Sequence, residues 1–396
     1  MKILAIGGSG GMGRFAVAAA QHFDHVEQIV VADLNADSAH SFASQMNHKV
    51  SAMHLDVADA DALQNAMSGI DVVVNTCGPF YRFGVPVLQA AIDAQCHYLD
   101  ICDDWEPTVA MLELDQAAKA AGISATVGLG ASPGVSNLLA LMAMQELDSV
   151  ATVYTGWDVG GAKPEAESSQ QGTNAAMLHG VEQMTGSVRV YRRGAVEMTK
   201  PLAPVSVSYP GLPIFTGHIF GHPEAITFPH NYPQLQESLN LAHGGGVDSW
   251  QLKTIMKLVD WGLISRARAA ALLTWIERNS AVAVQEEDSD TPPAMYGLAI
   301  GSKNDQPASV GVSFMSGTTE EAGNAAIGMG AITGIPLACG IKFLAEGTLR
   351  EPGVFSPEAG HIEPRQFLSE VLAQLGEVSG LVDTGFNDHV TISRSW

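Results

Sequence analysis

Short apolar runs and helical periods alternate through the first third of the chain. Lys2 to Ile6 is an apolar run of strand length, and Met12 to Phe23 then sets Met12, Phe15, Ala16, Ala19 and Phe23 on one helical face. Further strands follow at Gln28 to Ala32, in "KVSAMHLDV", at Val72 to Val74, in "CHYLDIC" and in "ISATVGLG". Helical patterns lie between them near Val85 to Ala94 and Val109 to Ala121. The wholly apolar Val72–Val74 core is what a parallel strand covered on both faces requires. This rhythm predicts an α/β protein with a doubly wound parallel sheet over residues 1–132.

Near Pro133 the pattern changes. "SVATVYTGWDV" reads as a strand, "SVRVYRRGAVEMTKPL" as a hairpin around Arg193-Gly194, and "AMYGLAIGSKNDQPASVGVSFMSG" as a hairpin turning in "KNDQP". Trp250 to Asn279 is helical and amphipathic, and "TNAAMLHGVEQM" and "GAITGIPLACGIKFLAEG" read as helices. "QEEDSDTPP" is a charged loop. These elements predict an α+β domain with a mixed or antiparallel sheet over 133–333, then a helical segment over 334–396.

The junction of the first strand and helix holds the first chemistry. Gly8, Gly10 and Gly13 spell G-x-G-x-x-G, the fingerprint of a Rossmann dinucleotide-binding domain. Gly8 is expected at the tight turn, Gly10 where pyrophosphate approaches the backbone, and Gly13 where helix and strand close up. Ser9, Gly11 and Met12 complete the loop, whose helix start offers N–H groups to phosphate. The second strand ends in Asp33, about 20 residues after Gly13, where a ribose-binding carboxylate belongs. No Lys or Arg follows in "DLNADSAH" to meet a 2′-phosphate, so the expected cofactor is NAD, with NADP second. Asp56, ending the third strand, is placed beside the adenine. Asn75, Thr76, Cys77 and Gly78, ending the fourth, are placed along the nicotinamide ribose, because open α/β sheets bind ligands at the carboxyl ends of their strands.

Composition narrows the partners. The 396 residues exceed one ordinary core, and 46% hydrophobic against 16% charged residues describes a globular chain. A formal net charge of −22 argues against a nucleic-acid partner. No apolar run reaches the roughly 20 residues of a membrane span, and no signal peptide is legible, so no membrane partner and a cytoplasmic location are expected. Cys77, Cys96, Cys102 and Cys339 fit neither a disulfide framework nor a paired zinc motif.

"VVNTCGPFYRFGVPVLQAAIDAQCHYLDICDD" resembles the saccharopine dehydrogenase family, with its strand, G-P-F/Y turn, helix and H-Y-V-D strand. "GLGASPGVSNLLA" is similar to that family's G-x-D-P-G-x-x-N turn, with Ser132 where many members carry Asp. "AVEMTKPLAP", "GHPEAITFPHNYP" and "TGIPLACGIKFLAEGTLREPGVFSPE" match later landmarks, so the resemblance runs from Met1 to about Leu372. It implies an NAD(P)-dependent oxidoreductase acting on the carbon–nitrogen bond of an amino acid, opine or related amine, in the chemistry of lysine metabolism. It also implies a homodimer built on the second sheet, and a C-terminal helix that returns to the first domain.

An amine dehydrogenase needs a proton acceptor and an anchor for the substrate carboxylate. Asp100, Tyr98 and Tyr81 are the candidate catalytic residues, and Arg82, Asp103, His222 and Glu224 the candidate substrate ligands. Three have a plainer reading: Tyr98 as a core aromatic, Asp100 as a helix cap, Arg82 as a solvated loop residue. No metal is expected, since glycines and Pro223 separate His218, His222 and Glu224 from any helical spacing. Two alternatives stay open: a catalytically altered dinucleotide-binding sensor or scaffold, for which Ser132 argues, and a reductase forming carboxylated polyamines.

Overall fold

The computed structural model describes residues 1–160, 175–279, 290–314, 328–379 and 385–396. Most of the acidic loop "QEEDSDTPP", the first residues of "TNAAMLHGVEQM" and the end of the second hairpin lie outside the described residues. One unit takes Met1–Leu138 together with the described residues from 328 to Phe386; a second takes Leu139 to Phe314 together with Asn387–Trp396.

The first unit is a parallel sheet. Its strands are β1 (Lys2–Ile6), β2 (Gln28–Asp33), β3 (Val50–His54), β4 (Val72–Asn75), β5 (His97–Asp100) and β6 (Ser124–Thr126). The order is β6-β5-β4-β1-β2-β3, and the late strand Gly353–Phe355 joins outside β6, again parallel. The order reverses between β1 and β4, which makes their carboxyl ends the switch point where such sheets bind ligands. Helices α1 (Gly13–Ala20), α2 (Ala36–Ala43), α3 (Ala60–Ala66) and α4 (Phe80–Asp93) cross between the strands. The single helix expected over 109–121 is two, α5 (Trp105–Leu112) and α6 (Asp115–Ala121). Asn35 and Asp59 cap α2 and α3 by accepting from the backbone N–H of Ser38 and Ala62, which fixes where the chain leaves β2 and β3.

The helix Met329–Ala345 also belongs to this unit and packs on α1. Gly334 allows that approach, since a Cβ there would lie 2.3 Å from the Met12 carbonyl oxygen and 2.9 Å from the Phe15 Cβ.

The second unit is a mixed sheet whose described strands run in the order 204–207, 215–219, 237–243, 149–158, 295–303, 306–314 and 390–395. Glu237–His243 and Ser149–Asp158 run parallel, and the other neighbours along this path run antiparallel. The hairpin 188–192/195–199 pairs with Glu237–His243. Both turns expected from sequence are present. Arg193 and Gly194, and Asn304 and Asp305, all have positive φ, as two-residue hairpin loops require. Each sheet face carries its own core, one around Tyr154, Leu239, Leu241 and Tyr296, the other around Phe220, Ala242, Ile255 and Ala269.

Two expectations need correction. Trp250 to Asn279 is two helices, Trp250–Asp260 and Arg266–Asn279, because Gly262 turns the chain at φ +70°. The C-terminal segment does not stay helical: Val390–Ser395 is a strand on Gln306–Phe314 in the second unit. Val390 is its one buried residue and the other five are half-buried or exposed, as suits a sheet edge.

The loop glycines predict a contrast. A Cβ at Gly13 would sit 2.5 Å from the Gly7 carbonyl oxygen and 2.6 Å from the Thr76 Oγ1, whereas one at Gly11 would meet nothing within 4 Å. Gly13→Ala should cost about 1–3 kcal/mol in denaturant unfolding of the ligand-free protein. Gly11→Ala should stay within about 0.5 kcal/mol. Equal losses in the two would show that helix–strand closeness does not explain Gly13.

Candidate functional site: the carboxyl edge of the first sheet

The glycine loop departs from its expected division of labour. Gly7, not Gly8, takes the left-handed turn, at φ +72°, with its N–H donating to the Ala32 carbonyl and its own carbonyl accepting from the Gly10 N–H. Gly8 is a close-packing position alongside Gly13, since a Cβ would lie 2.9 Å from that of Ala5. Gly10 and Gly11 are exposed and Met12 is half-buried. These two glycines keep backbone at the surface directly before α1, which is the geometry a pyrophosphate needs. The register of five glycines in "GGSGGMG" hid Gly7.

Asp33 ends β2 beside this loop, half-buried. The Ser9 hydroxyl donates to its Oδ2 at 2.6 Å and the Asn35 N–H to its Oδ1 at 3.0 Å. Ser38 donates to Ser9 at 3.2 Å, so a short hydroxyl chain holds the carboxylate in place. Arg14, in the first turn of α1, lies 5.9 Å from the Phe42 ring centroid of α2. Asp56 is exposed and caps its own turn through the Ala58 N–H. Burial, reinforced by the charges of Asp33 and Asp56, pushes the Cys77 thiol up to about 11. Cys77 is therefore a neutral thiol at physiological pH and no nucleophile.

Thr76 and Gly78 flank Cys77. Thr76 donates its hydroxyl to the Ile6 carbonyl at 3.0 Å and so ties β4 to β1, while Gly78 is exposed. Next along the chain, Tyr81 is 59% exposed and Arg82 is exposed, with its guanidinium 4.8 Å from the Phe83 ring centroid. These two remain the candidates that can reach a substrate. Asp103 is half-buried after β5.

Three expected site residues are not presented to solvent. Asn75, Tyr98 and Asp100 are each fully buried and bond to one another. Asn75 accepts from the Cys77 N–H at 3.0 Å and donates to the Tyr98 hydroxyl at 3.0 Å; Tyr98 donates to the Asp100 Oδ2 at 2.8 Å. The Asp100 Oδ1 accepts from the N–H groups of Cys102 at 3.0 Å and Gly128 at 2.7 Å. The Asp100 carboxylate thus acts on loops and not on substrate. It fixes the ends of β4, β5 and β6 relative to one another, and the catalytic roles expected for Asp100 and Tyr98 are corrected to positioning ones. Burial, with the Asp100 charge beside it, raises the Tyr98 phenol well above its ordinary value, so it stays protonated. Burial likewise raises Asp100 to about 6, against the lowering effect of its three donors.

A second buried pair lies nearby in the same unit. Asn137 accepts from the Gly134 N–H at 2.9 Å and donates to the Glu358 Oε2 at 2.7 Å, and both residues are fully buried. Gly134, at φ +124°, sits where a Cβ would lie 2.0 Å from the Gly130 carbonyl oxygen. The turn carrying Ser132 is therefore held at Gly134 by Asn137. Glu358 closes the landmark "TGIPLACGIKFLAEGTLREPGVFSPE", but its pairing with Asn137 was not foreseen.

His222 and Glu224 belong to the second unit, where the structure does bring them together. The His222 Nδ1 lies 3.9 Å from the Glu224 Oε2, and its ring stacks on Trp157 at 5.5 Å. Glu224 is fully buried and accepts from Asn240, which in turn accepts from Trp157 and donates to Thr155. Neither side chain is solvent-facing, so the substrate-facing orientation expected for them is corrected to an interior network. Among the described residues no group of three His, Cys, Asp or Glu is placed to hold a metal ion, and no helix is long and apolar enough to cross a membrane.

Residues 3–126 match the family model described as the saccharopine dehydrogenase NADP binding domain. A curated saccharopine dehydrogenase [NADP(+), L-glutamate-forming] of Pyricularia oryzae is 30% identical over 143 residues. That match takes in 36% of this chain and spans only 30% of the relative's length. The apo saccharopine dehydrogenase (L-Glu forming) of Saccharomyces cerevisiae superposes with a TM-score of 0.61 at 16% identity, covering 100% of each chain. The chain has the saccharopine dehydrogenase fold. Its likeness to the saccharopine dehydrogenase NADP binding domain covers residues 3–126.

The Asp100 network predicts a pH signature. A carboxyl whose folded pKa is raised stabilises the fold fully below its unfolded value, and that contribution is lost as pH rises through about 6. Wild-type stability should therefore fall relative to Asp100→Asn between pH 4 and pH 7, by on the order of 3 kcal/mol. Urea titrations of both proteins at the two pH values measure it. A pH-independent difference would mean that Asp100 is not titrating there.

Proposed function

We propose that this chain is a nicotinamide-dinucleotide oxidoreductase of the saccharopine dehydrogenase type, acting at a carbon–nitrogen bond of an amino acid, opine or related amine. The observation that carries the reading is the shared carboxyl edge. An open glycine loop, a held carboxylate at the ribose position and the exposed Tyr81–Arg82 step all stand at the switch point of one parallel sheet. When bound, the nicotinamide supplies the hydride chemistry. The N–H groups of the Gly10–Gly13 loop would hold the pyrophosphate. Asp33 would accept from the ribose hydroxyls, and the loop at Thr76–Gly78 would border the nicotinamide end. The Arg82 guanidinium, steadied over Phe83, would pair with a substrate carboxylate. A homodimer belongs to the same proposal.

Asp33 favours NAD, because a 2′-phosphate would face a carboxylate already held by Ser9. NADP is the second reading, and two observations favour it: the matched family is named for NADP, and Arg14 places a cation between α1 and α2.

Cofactor titration separates these readings. Asp33→Ser should weaken NAD binding by roughly 1.5–3 kcal/mol, the range for hydrogen bonds to a charged group, and should leave NADP binding equal or tighter. If wild type binds NADP more tightly and Arg14→Ala abolishes that preference, NADP is the cofactor and Asp33 is not its selector.

The amine reading is tested by turnover. Only the neutral amine can release a hydride with help from its nitrogen lone pair, and an exposed alkyl ammonium titrates near 10.4, so oxidation should accelerate as pH rises above 7. Arg82→Ala should raise KM for a carboxylated amine about tenfold or more while NAD(P) affinity is unchanged. Cofactor binding without turnover of any amine in a panel spanning lysine, saccharopine, opines and polyamine precursors would favour the sensor alternative.

A further inference from the structure

The two helices Trp250–Asp260 and Arg266–Asn279 carry an unusual surface. Trp250 is 72% exposed, Trp261 70%, Leu263 64% and Trp275 63%, and Leu272 is exposed as well. Three of the six tryptophans of the chain are thus largely exposed on one helical hairpin. A chain that can bury aromatics elsewhere gains nothing in stability from this display, and exposed apolar patches of this kind mark interaction sites.

The pattern is regular. On the first helix, positions 250, 253, 254, 257 and 261 share a face, which reads Trp250, Lys253, Thr254, Lys257, Trp261. Its opposite face buries Ile255 and Met256. On the second helix, Arg268, Ala271, Leu272 and Trp275 share a face, and Ala269 and Ala270 are buried. Both buried faces enter the same core cluster of the second unit, so both aromatic faces turn away from that cluster. Lys253, Lys257 and Arg268 make no ion pair among the described residues, whereas Arg266 pairs with Glu182 and Asp260 lies opposite Lys200. In a chain of net charge −22, this hairpin is locally cationic.

We propose that this hairpin docks on an anionic lipid surface, lying in the headgroup layer with Trp250, Trp261, Leu263, Leu272 and Trp275 inserted and Lys253, Lys257 and Arg268 against lipid phosphates. Tryptophan and long cationic side chains are the residues suited to that layer: the indole has an apolar body and a polar N–H, and Lys and Arg keep their charge in water above a buried stem. The mode needs no spanning helix, only an amphipathic one lying flat. The expectation of no membrane contact considered only a span. The acidity of the rest of the molecule does not forbid the contact, because charges beyond about 8 Å are screened at physiological salt. A single-stranded nucleic acid would use the indoles and the cations but has no use for Leu263 and Leu272. A two-fold contact with a second copy would bring two copies of the same cationic face together.

The test uses the full chain with sedimented vesicles of phosphatidylcholine containing 30% phosphatidylserine, at low and physiological salt. Wild type should co-sediment, with weaker binding at the higher salt and to pure phosphatidylcholine. Trp250→Ser/Trp261→Ser should lose binding at least tenfold. Lys253→Gln/Lys257→Gln/Arg268→Gln should lose roughly a hundredfold, since each cation near such a surface contributes about fivefold. Circular dichroism and melting unchanged from wild type would establish that these surface variants are folded. No wild-type binding, or binding insensitive to both variants, overturns the proposal. A concentration-dependent dimer that the tryptophan variant abolishes, without vesicle binding, assigns the face to a second copy and also overturns it. Tighter binding to oligo(dT) than to vesicles overturns it in favour of nucleic acid.

Discussion

A carboxylate sealed from water must find all its hydrogen bonds in the protein or be expelled, and Asp100 is such a group. Its three donors come from Tyr98 on its own strand, Cys102 just beyond it and Gly128 beyond β6, while Tyr98 is itself bonded to Asn75 at the end of β4. One charge therefore sets the spacing of three adjacent strand ends. The segments that leave those ends carry Cys77, Asp103 and, on the first turn of α4, Tyr81 and Arg82. The rigidity of the candidate site is thus supplied from beneath, by residues that never meet a ligand.

The glycine loop obeys the complementary constraint. Where Asp100 draws loops together by bonding, Gly8, Gly13 and Gly334 allow approach by having no side chain at all. Gly13 lets α1 begin against Gly7 and Thr76, and Gly334 lets the helix Met329–Ala345 press on the same turn of α1. The start of α1 is clamped between the sheet and a helix more than 300 residues later in sequence. A loop fixed from both sides can present backbone N–H groups without paying to order them when a ligand arrives, the usual benefit of preorganisation.

The sequence made legible whatever depends on local period and local turn chemistry. The first six strands of the first sheet, the glycine fingerprint, Asp33 as the residue ending β2 and both two-residue hairpin turns are of this kind. What it hid depends on three-dimensional burial. Asp100 and Tyr98 look catalytic in "HYLDICDD" because carboxylates and phenols at strand ends usually are; only their complete burial reassigns them. Glu358 pairs with Asn137 across 221 residues, and no local pattern announces such a partner. Trp250 to Asn279 kept a helical period through Gly262, so the break was visible only as a positive φ. The final strand, Val390–Ser395, is short and polar, and pairing with Gln306–Phe314 alone makes it one.

The charge of the chain bears on how a dinucleotide could be held at all. With 42 acidic residues against 20 lysines and arginines, the average surface repels a polyphosphate. Attraction must then be local and made from groups that do not add to the count of charges. Backbone N–H groups at the start of α1 meet that requirement: their partial charges act within a turn of the helix and are unaffected by a distant acidic surface once salt screens it. Asp33 fits the same logic, since a carboxylate is an asset beside neutral ribose hydroxyls and a penalty beside a third phosphate. Arg14, on the first turn of α1, is the counterweight. In the proposed reading, tolerance of the extra phosphate would be set by the balance between that guanidinium, near the Phe42 ring, and the carboxylate held by Ser9.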